Sequence, residues 1–121
     1  MVISMGEATE ELIASIMEQI PEIEGVILFD SDGKAIISQS LTQMKHAEIA
    51  KHAAAMVDAA KKLSQSAEKG DAAVAYVESD DGFTVITFAG GKGLLAITGR
   101  DATNSLGLIM RNLKLALSKI K

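Results

Sequence analysis

Leu12, Ile13, Ile16, Met17 and Ile20 recur at helical spacing near the start of the chain and share one stripe. Glu7, Glu10 and Glu11 fall early in this segment, where the helix dipole favours negative charge. Ser4, with Glu7 in capping-box spacing, and Thr9 are the two candidate N-caps. Pro21 disfavours helix for the residue before it, so the helix ends near Ile20. The pattern then shortens. Gly25–Asp30 and Ala35–Gln39 are apolar runs on either side of Ser31-Asp32-Gly33-Lys34, a gap whose Asp and Gly predict a hairpin turn.

Helical spacing returns from residue 43 to 68, between Thr42 as a plausible N-cap and Gly70 as a plausible C′ residue. Ile49, Ala53, Met56, Ala60, Leu63 and Ala67 form one stripe, and Ala47, Ala50, Ala54 and Val57 a second beside it. Glu48, Lys51, Asp58 and Lys62 take the remaining face. The apolar arc is about twice what one flat sheet would cover, so this helix needs two partners. Its second stripe is nearly all alanine, which permits close approach of another backbone.

Three strands follow, Ala72–Ser79, Phe83–Phe88 and Gly93–Thr98, separated by the short turns Asp80-Asp81-Gly82 and Gly90-Gly91-Lys92. Connections this short make antiparallel neighbours. A last helix over 102–119 carries Leu106, Ile109, Met110, Leu113, Leu117 and Ile120 on one face, with Asp101 or Asn104 as cap and Lys114, Lys119 and Lys121 toward its end. The order is αββαβββα: a five-stranded antiparallel sheet with helices on both faces, formed by one domain over residues 1–121. Cover on both faces explains why Val26–Phe29 is apolar without alternation.

Composition narrows the function. The chain has 121 residues, 48% of them hydrophobic, enough to bury a core without staples. With no cysteine, disulfides and thiolate metal sites are excluded, which fits a reducing compartment. A net charge of −4 argues against nucleic acid as the main partner. No apolar run approaches the roughly 18 residues of a membrane span, so membrane insertion is not expected. The opening MVISMGEATEE lacks a basic region and a signal-like run, and the chain reads as a soluble cytoplasmic protein.

Candidate chemistry is sparse. Asp30 and Asp32 beside Gly33 resemble the start of a calcium loop, but Ala35-Ile36-Ile37 ends the ligand series at once, so the turn is preferred. Gly90-Gly91-Lys92-Gly93 lacks the spacing and the following helix of a phosphate loop. His46 and His52 are six apart, where a helical metal pair prefers three or four, so both read as rim or solvated residues. Ser38, Ser40 and Ser64 sit in no nucleophile elbow, and Asp80 and Asp81 read as solvated turn acids. Arg100 or Arg111 is conceivable as an arginine finger, but a surface arginine is the better reading. No catalytic residue, metal or cofactor is expected.

The order of segments, together with IPEIEGVILFDSDGKAIIS, the Ala-rich helix, the Gly-Gly before the fifth strand and LGLIMRNL in the last helix, resembles the Roadblock family. That family comprises the Roadblock-type dynein light chains and their bacterial and archaeal relatives. The resemblance implies a sheet order of 2-1-5-4-3 with the third strand at an edge. It also implies a homodimer in which third strands pair and second helices lie side by side. That would place Ala73, Val74, Ala75, Tyr76 and Val77 of the strand, and Ala47, Ala50, Ala54 and Val57 of the helix, in the interface. Family members are not enzymes; they bind or regulate small Ras-like GTPases, or serve as subunits of motor and signalling scaffolds. The expected function is a homodimeric adaptor regulating a small Ras-like GTPase, with Glu48, Lys51, Asp58 and Lys62 as the partner surface. A structural subunit without effect on nucleotide turnover is the alternative, and a small-molecule sensor is disfavoured by the scarcity of aromatic and polar core residues. The chain reads as a bare domain, so an activity that depends on a tail is not expected of it.

Overall fold

The computed structural model describes the backbone of residues 5–120 and the side chains of residues 9–120. The element order is α1 (Met5–Gln19), β1 (Ile23–Asp30), β2 (Ala35–Ser40), α2 (His46–Ser66), β3 (Val74–Ser79), β4 (Gly82–Ala89), β5 (Lys92–Gly99), a 3₁₀ turn (Arg100–Ser105) and α3 (Leu106–Lys119). The five strands form one antiparallel sheet in the order β2-β1-β5-β4-β3. Both the αββαβββα order and the sheet order agree with expectation.

β1 lies between β2 and β5, with its side chains buried in both directions. Val26 and Leu28 join Ile13, Ile16, Ile109 and Leu113 in a core under α1 and α3. Ile27 and Phe29 join Ala50, Ala53, Val57, Ile86 and Phe88 in a second core under α2. Alternation within each strand thus feeds two cores, and the strand as a whole reads continuously apolar.

Several boundaries differ from the sequence reading. α1 begins at Met5, so Thr9 is a buried residue within the helix and not its N-cap. The candidate cap Ser4, the side chain of Glu7 and Lys121 lie outside the described residues. α2 starts at His46 with Lys45 in the cap position and no side-chain cap bond, which removes Thr42 from that role. At its other end the left-handed residue in the C′ position is Glu68 (φ 59°); Gly70 is also left-handed (φ 82°) but lies two residues further on. The N–H of Glu68 donates to the Gln65 carbonyl and that of Lys69 to the Ser64 carbonyl, the bond pair that closes a helix in a Schellman turn. The last helix is split: residues 100–105 wind as 3₁₀, and α3 starts at Leu106 after Ser105, so neither Asp101 nor Asn104 is the cap.

Candidate interaction surface

β3 lies at one edge of the sheet and borders α2, and this juxtaposition makes an open apolar surface on that face. Met56, Ala59, Ala60 and Leu63 of α2 face Ala72, Val74, Ala75 and Tyr76 across a shallow groove of about 630 Å³. Leu63 is 71% exposed, Tyr76 of the same groove is exposed too, and so is Val77 next along β3. The backbone edge is open as well. The Phe88 N–H donates to the Ala73 carbonyl, so antiparallel alternation turns Val74, Tyr76 and Glu78 outward. A free row of backbone groups beside an uncovered helix stripe is suited to pairing with another chain.

In the helical half of the expected interface, two of the four residues face the protomer's own core. Ala50 is wholly buried and Val57 is 9% exposed, both against the protomer's own sheet. Ala54 packs against that core from the side, and Ala47 is exposed away from the groove. The physical reason lies in side-chain volume. The sheet presents Phe29, Phe88, Ile86 and Leu95 to α2, and the residues set most deeply against them, Ala50, Ala53 and Val57, are small to medium in size. The larger Leu63 is left facing outward, and Met56 packs at the margin of the core, half-buried. Both apolar stripes feed that core at their adjoining margins, Ala53 from the first and Ala50 and Val57 from the second, and the outer residues of the first stripe line the groove. The groove residues Ala59 and Ala72 were missed, and they carry no local signal.

The polar stripe Glu48, Lys51, Asp58 and Lys62 is exposed along α2, on the side turned from the sheet. Lys62 pairs with Asp58 at 3.0 Å and Lys45 approaches Glu48 at 3.9 Å, both in solvent and individually worth little.

Other sequence candidates resolve into structural roles. Asp30 is the anchor of the first hairpin turn: its Oδ1 accepts the N–H groups of Asp32 and Lys34, each at 3.0 Å. Gly33 adopts φ +84°, and a Cβ there would stand 3.0 Å from the Cα of Lys51. Residues 90–93 form the β4–β5 hairpin, whose Gly91 carbonyl accepts the Ser31 N–H at 3.0 Å and ties the two turns together. Arg100 is committed to the β3–β4 turn, donating to the Ser79 and Asp80 carbonyls at 2.9 and 3.2 Å. Arg111 is exposed on α3. Ser64 donates to the Gly70 carbonyl at 2.8 Å.

His46 departs from the expected rim role. Its ring bridges two serines of β2, with Nδ1 2.9 Å from the Ser38 Oγ and Nε2 3.0 Å from the Ser40 Oγ. Ser40 donates onward to the Thr42 carbonyl at 2.6 Å, so the consistent arrangement is Ser38 donating to Nδ1 and Nε2–H donating to Ser40. The bridge fastens the start of α2 to the β2 edge. His52 is exposed.

Residues 9–98 match the model of the Roadblock/LC7 domain. The chain belongs to the Roadblock/LC7 family. Among curated protein sequences none matches it significantly. Solved structures share its fold at low identity. A Roadblock/LC7 domain from Streptomyces avermitilis is 18% identical over 91% of this chain and 92% of its own, with a TM-score of 0.80. MglB of Myxococcus xanthus is 22% identical over 93% and 94%, also with a TM-score of 0.80. The gliding protein MglB of Thermus thermophilus is 13% identical over 99% and 93%, with a TM-score of 0.85. Roadblock/LC7 proteins are in general adaptors or regulators rather than enzymes. Among the described residues, no helix is long and apolar enough to cross a membrane.

Proposed function

We propose that this Roadblock/LC7 chain is a non-catalytic homodimeric adaptor that binds and regulates a small Ras-like GTPase. The observation that carries the reading is the groove itself, an edge strand β3 beside the exposed Ala59 and Leu63 and the half-buried Met56 and Ala60 of α2. A second copy related by a two-fold axis fits both features at once: the β3 edges continue one sheet through both subunits while the α2 stripes cover each other. In this arrangement Ala73–Val77 remain interface residues, and Met56, Ala59, Ala60 and Leu63 take the place of Ala47, Ala50, Ala54 and Val57.

The α2 pair then presents Glu48, Lys51, Asp58 and Lys62 beside the two-fold axis, where a partner meets each residue twice. Lys51 makes no ion pair among the described residues, whereas Lys62 is held by Asp58. Lys51 is therefore the cation most available to steer a partner. Family membership supports the GTPase as that partner.

The test uses the cognate GTPase, with single-turnover hydrolysis and nucleotide release measured with and without the dimer. A change in either rate supports regulation. Firm binding with both rates unchanged would make the chain a structural subunit of a scaffold, and no binding to any Ras-like GTPase would end the regulatory reading.

A further inference from the structure

α3 carries a second surface, on the face of the sheet opposite α2. Ile109, Leu113, Ala116 and Leu117 are its buried side. On the outward side Leu108 is 53% exposed and Leu115 52%. Being seven residues apart, they stand on one line about 10 Å apart along the axis. Arg111 lies between them, Lys119 follows Leu115 by one turn, and Lys114 stands about 100° round the helix on the other side of Arg111. Beside Lys114 an apolar groove of about 240 Å³ opens against Phe88, Ala89 and Leu117.

The charge on this face is one-sided. α3 contains no carboxylate. Among the described residues the ion pairs use Lys45, Lys62 and Arg100, so Arg111, Lys114 and Lys119 have no acidic partner. In a chain of net charge −4, a cationic row astride two exposed leucines is a local exception.

We propose that the outward face of α3 docks an acidic amphipathic segment of a partner protein. Apolar side chains of that segment seat on Leu108, Leu115 and the adjoining groove. Its carboxylates meet Arg111, Lys114 and Lys119, with the Arg111 guanidinium able to hold one of them through two parallel bonds. The leucines and the groove supply contact area, and the cations fix direction and speed association. A second copy is a poor occupant, because two-fold pairing about the midpoint of Leu108 and Leu115 would set Arg111 against its own mate. A lipid surface is also a poor one, since three cations on a net-negative chain give weak attraction and α3 carries no aromatic anchor. This surface does not depend on the GTPase reading.

The probe is a synthetic helical peptide with leucines along one face and glutamates beside them, compared with a peptide in which glutamine replaces each glutamate. Each is titrated into the isotopically labelled full chain and followed by amide chemical shifts. The expected result is perturbation centred on residues 107–119, with binding about tenfold weaker or worse for the glutamine peptide and for Arg111→Glu/Lys114→Glu. Both positions are exposed, so a dispersed spectrum close to that of the unaltered chain certifies the fold. Leu108→Ser/Leu115→Ser should lose binding as well. Equal affinity for both peptides, shifts centred on α2 and β3, or no binding would overturn the proposal. So would capture of the chain by phosphatidylserine vesicles with the same dependence on Arg111 and Lys114, which would assign the face to membrane. A self-association abolished by Leu108→Ser/Leu115→Ser would overturn it too, assigning the face to a second copy.

Discussion

The tip of the Phe29 ring sits over the Cα of Gly93: a Cβ built there would lie 2.7 Å from Cε1 and 2.8 Å from Cε2. Gly93 is the cross-strand partner of both Phe29 and Phe88. The aromatic side chain therefore covers a bare stretch of central backbone, and the glycine is needed for the approach. Gly93→Ala should lower stability by about 1–3 kcal/mol in urea unfolding, because the ring must leave its rotamer or the strands must part. Combined with Phe29→Leu, the loss should be smaller than the sum of the two single losses by about 1 kcal/mol. Strict additivity would show that ring and glycine do not compete for the same space.

The first hairpin turn should depend on Asp30 and Gly33 and be indifferent to Asp32. Asp30→Ala removes the acceptor of two backbone N–H groups and should cost about 1–2 kcal/mol. Gly33→Val meets both the left-handed backbone and the Lys51 Cα, and should destabilise by more than Asp30→Ala. Asp32→Asn should change the melting temperature hardly at all. Calorimetric titration with calcium should give no low-micromolar site; a clear one would overturn the assignment of these carboxylates to a turn.

At the end of α2 the fold tolerates a residue in a region that favours glycine. Glu68 has φ 59° and is exposed. Glu68→Gly should therefore raise stability by about 0.5–1 kcal/mol, the left-handed penalty less the added entropy of a glycine in the unfolded chain. Thermal denaturation decides it: a lowered melting temperature would mean that the Glu68 side chain contributes more than its backbone costs.

These positions also show what the sequence makes legible. Strand order and the split of β1 between two cores follow from short turns, apolar continuity and the family resemblance. The helix ends do not follow, because capping is settled by local competition. Thr42 and Gly70 have the preferred chemistry, yet the chain starts α2 at His46, where the ring is held by Ser38 and Ser40, and closes it through Glu68. The same holds for α2 packing. Two apolar stripes are visible in the sequence, but which residues of each meet the sheet depends on Phe29 and Phe88 both belonging to the core under α2.

Substitution can separate the dimer surface from the protomer core. Leu63 is 71% exposed, so Leu63→Glu should leave the folded protomer nearly as stable as before. In the proposed dimer, the same change buries a carboxylate against the partner's α2 and should weaken association by about tenfold or more. The backbone edge gives an independent handle. Tyr76 is a position whose N–H faces outward, as the alternation from Ala73 requires, so Tyr76→Pro should remove a bond that joins the subunits and none within the sheet. Ala75 has its N–H toward β4, and Ala75→Pro should instead damage the protomer. Sedimentation velocity across the micromolar range, paired with circular dichroism, reads both effects. The expected pattern is a dimer for the unaltered chain, folded monomers for Leu63→Glu and Tyr76→Pro, and a destabilised protomer for Ala75→Pro. A chain that sediments as a monomer throughout, or a Leu63→Glu variant that remains as firmly dimeric, would rule out this groove as the subunit interface.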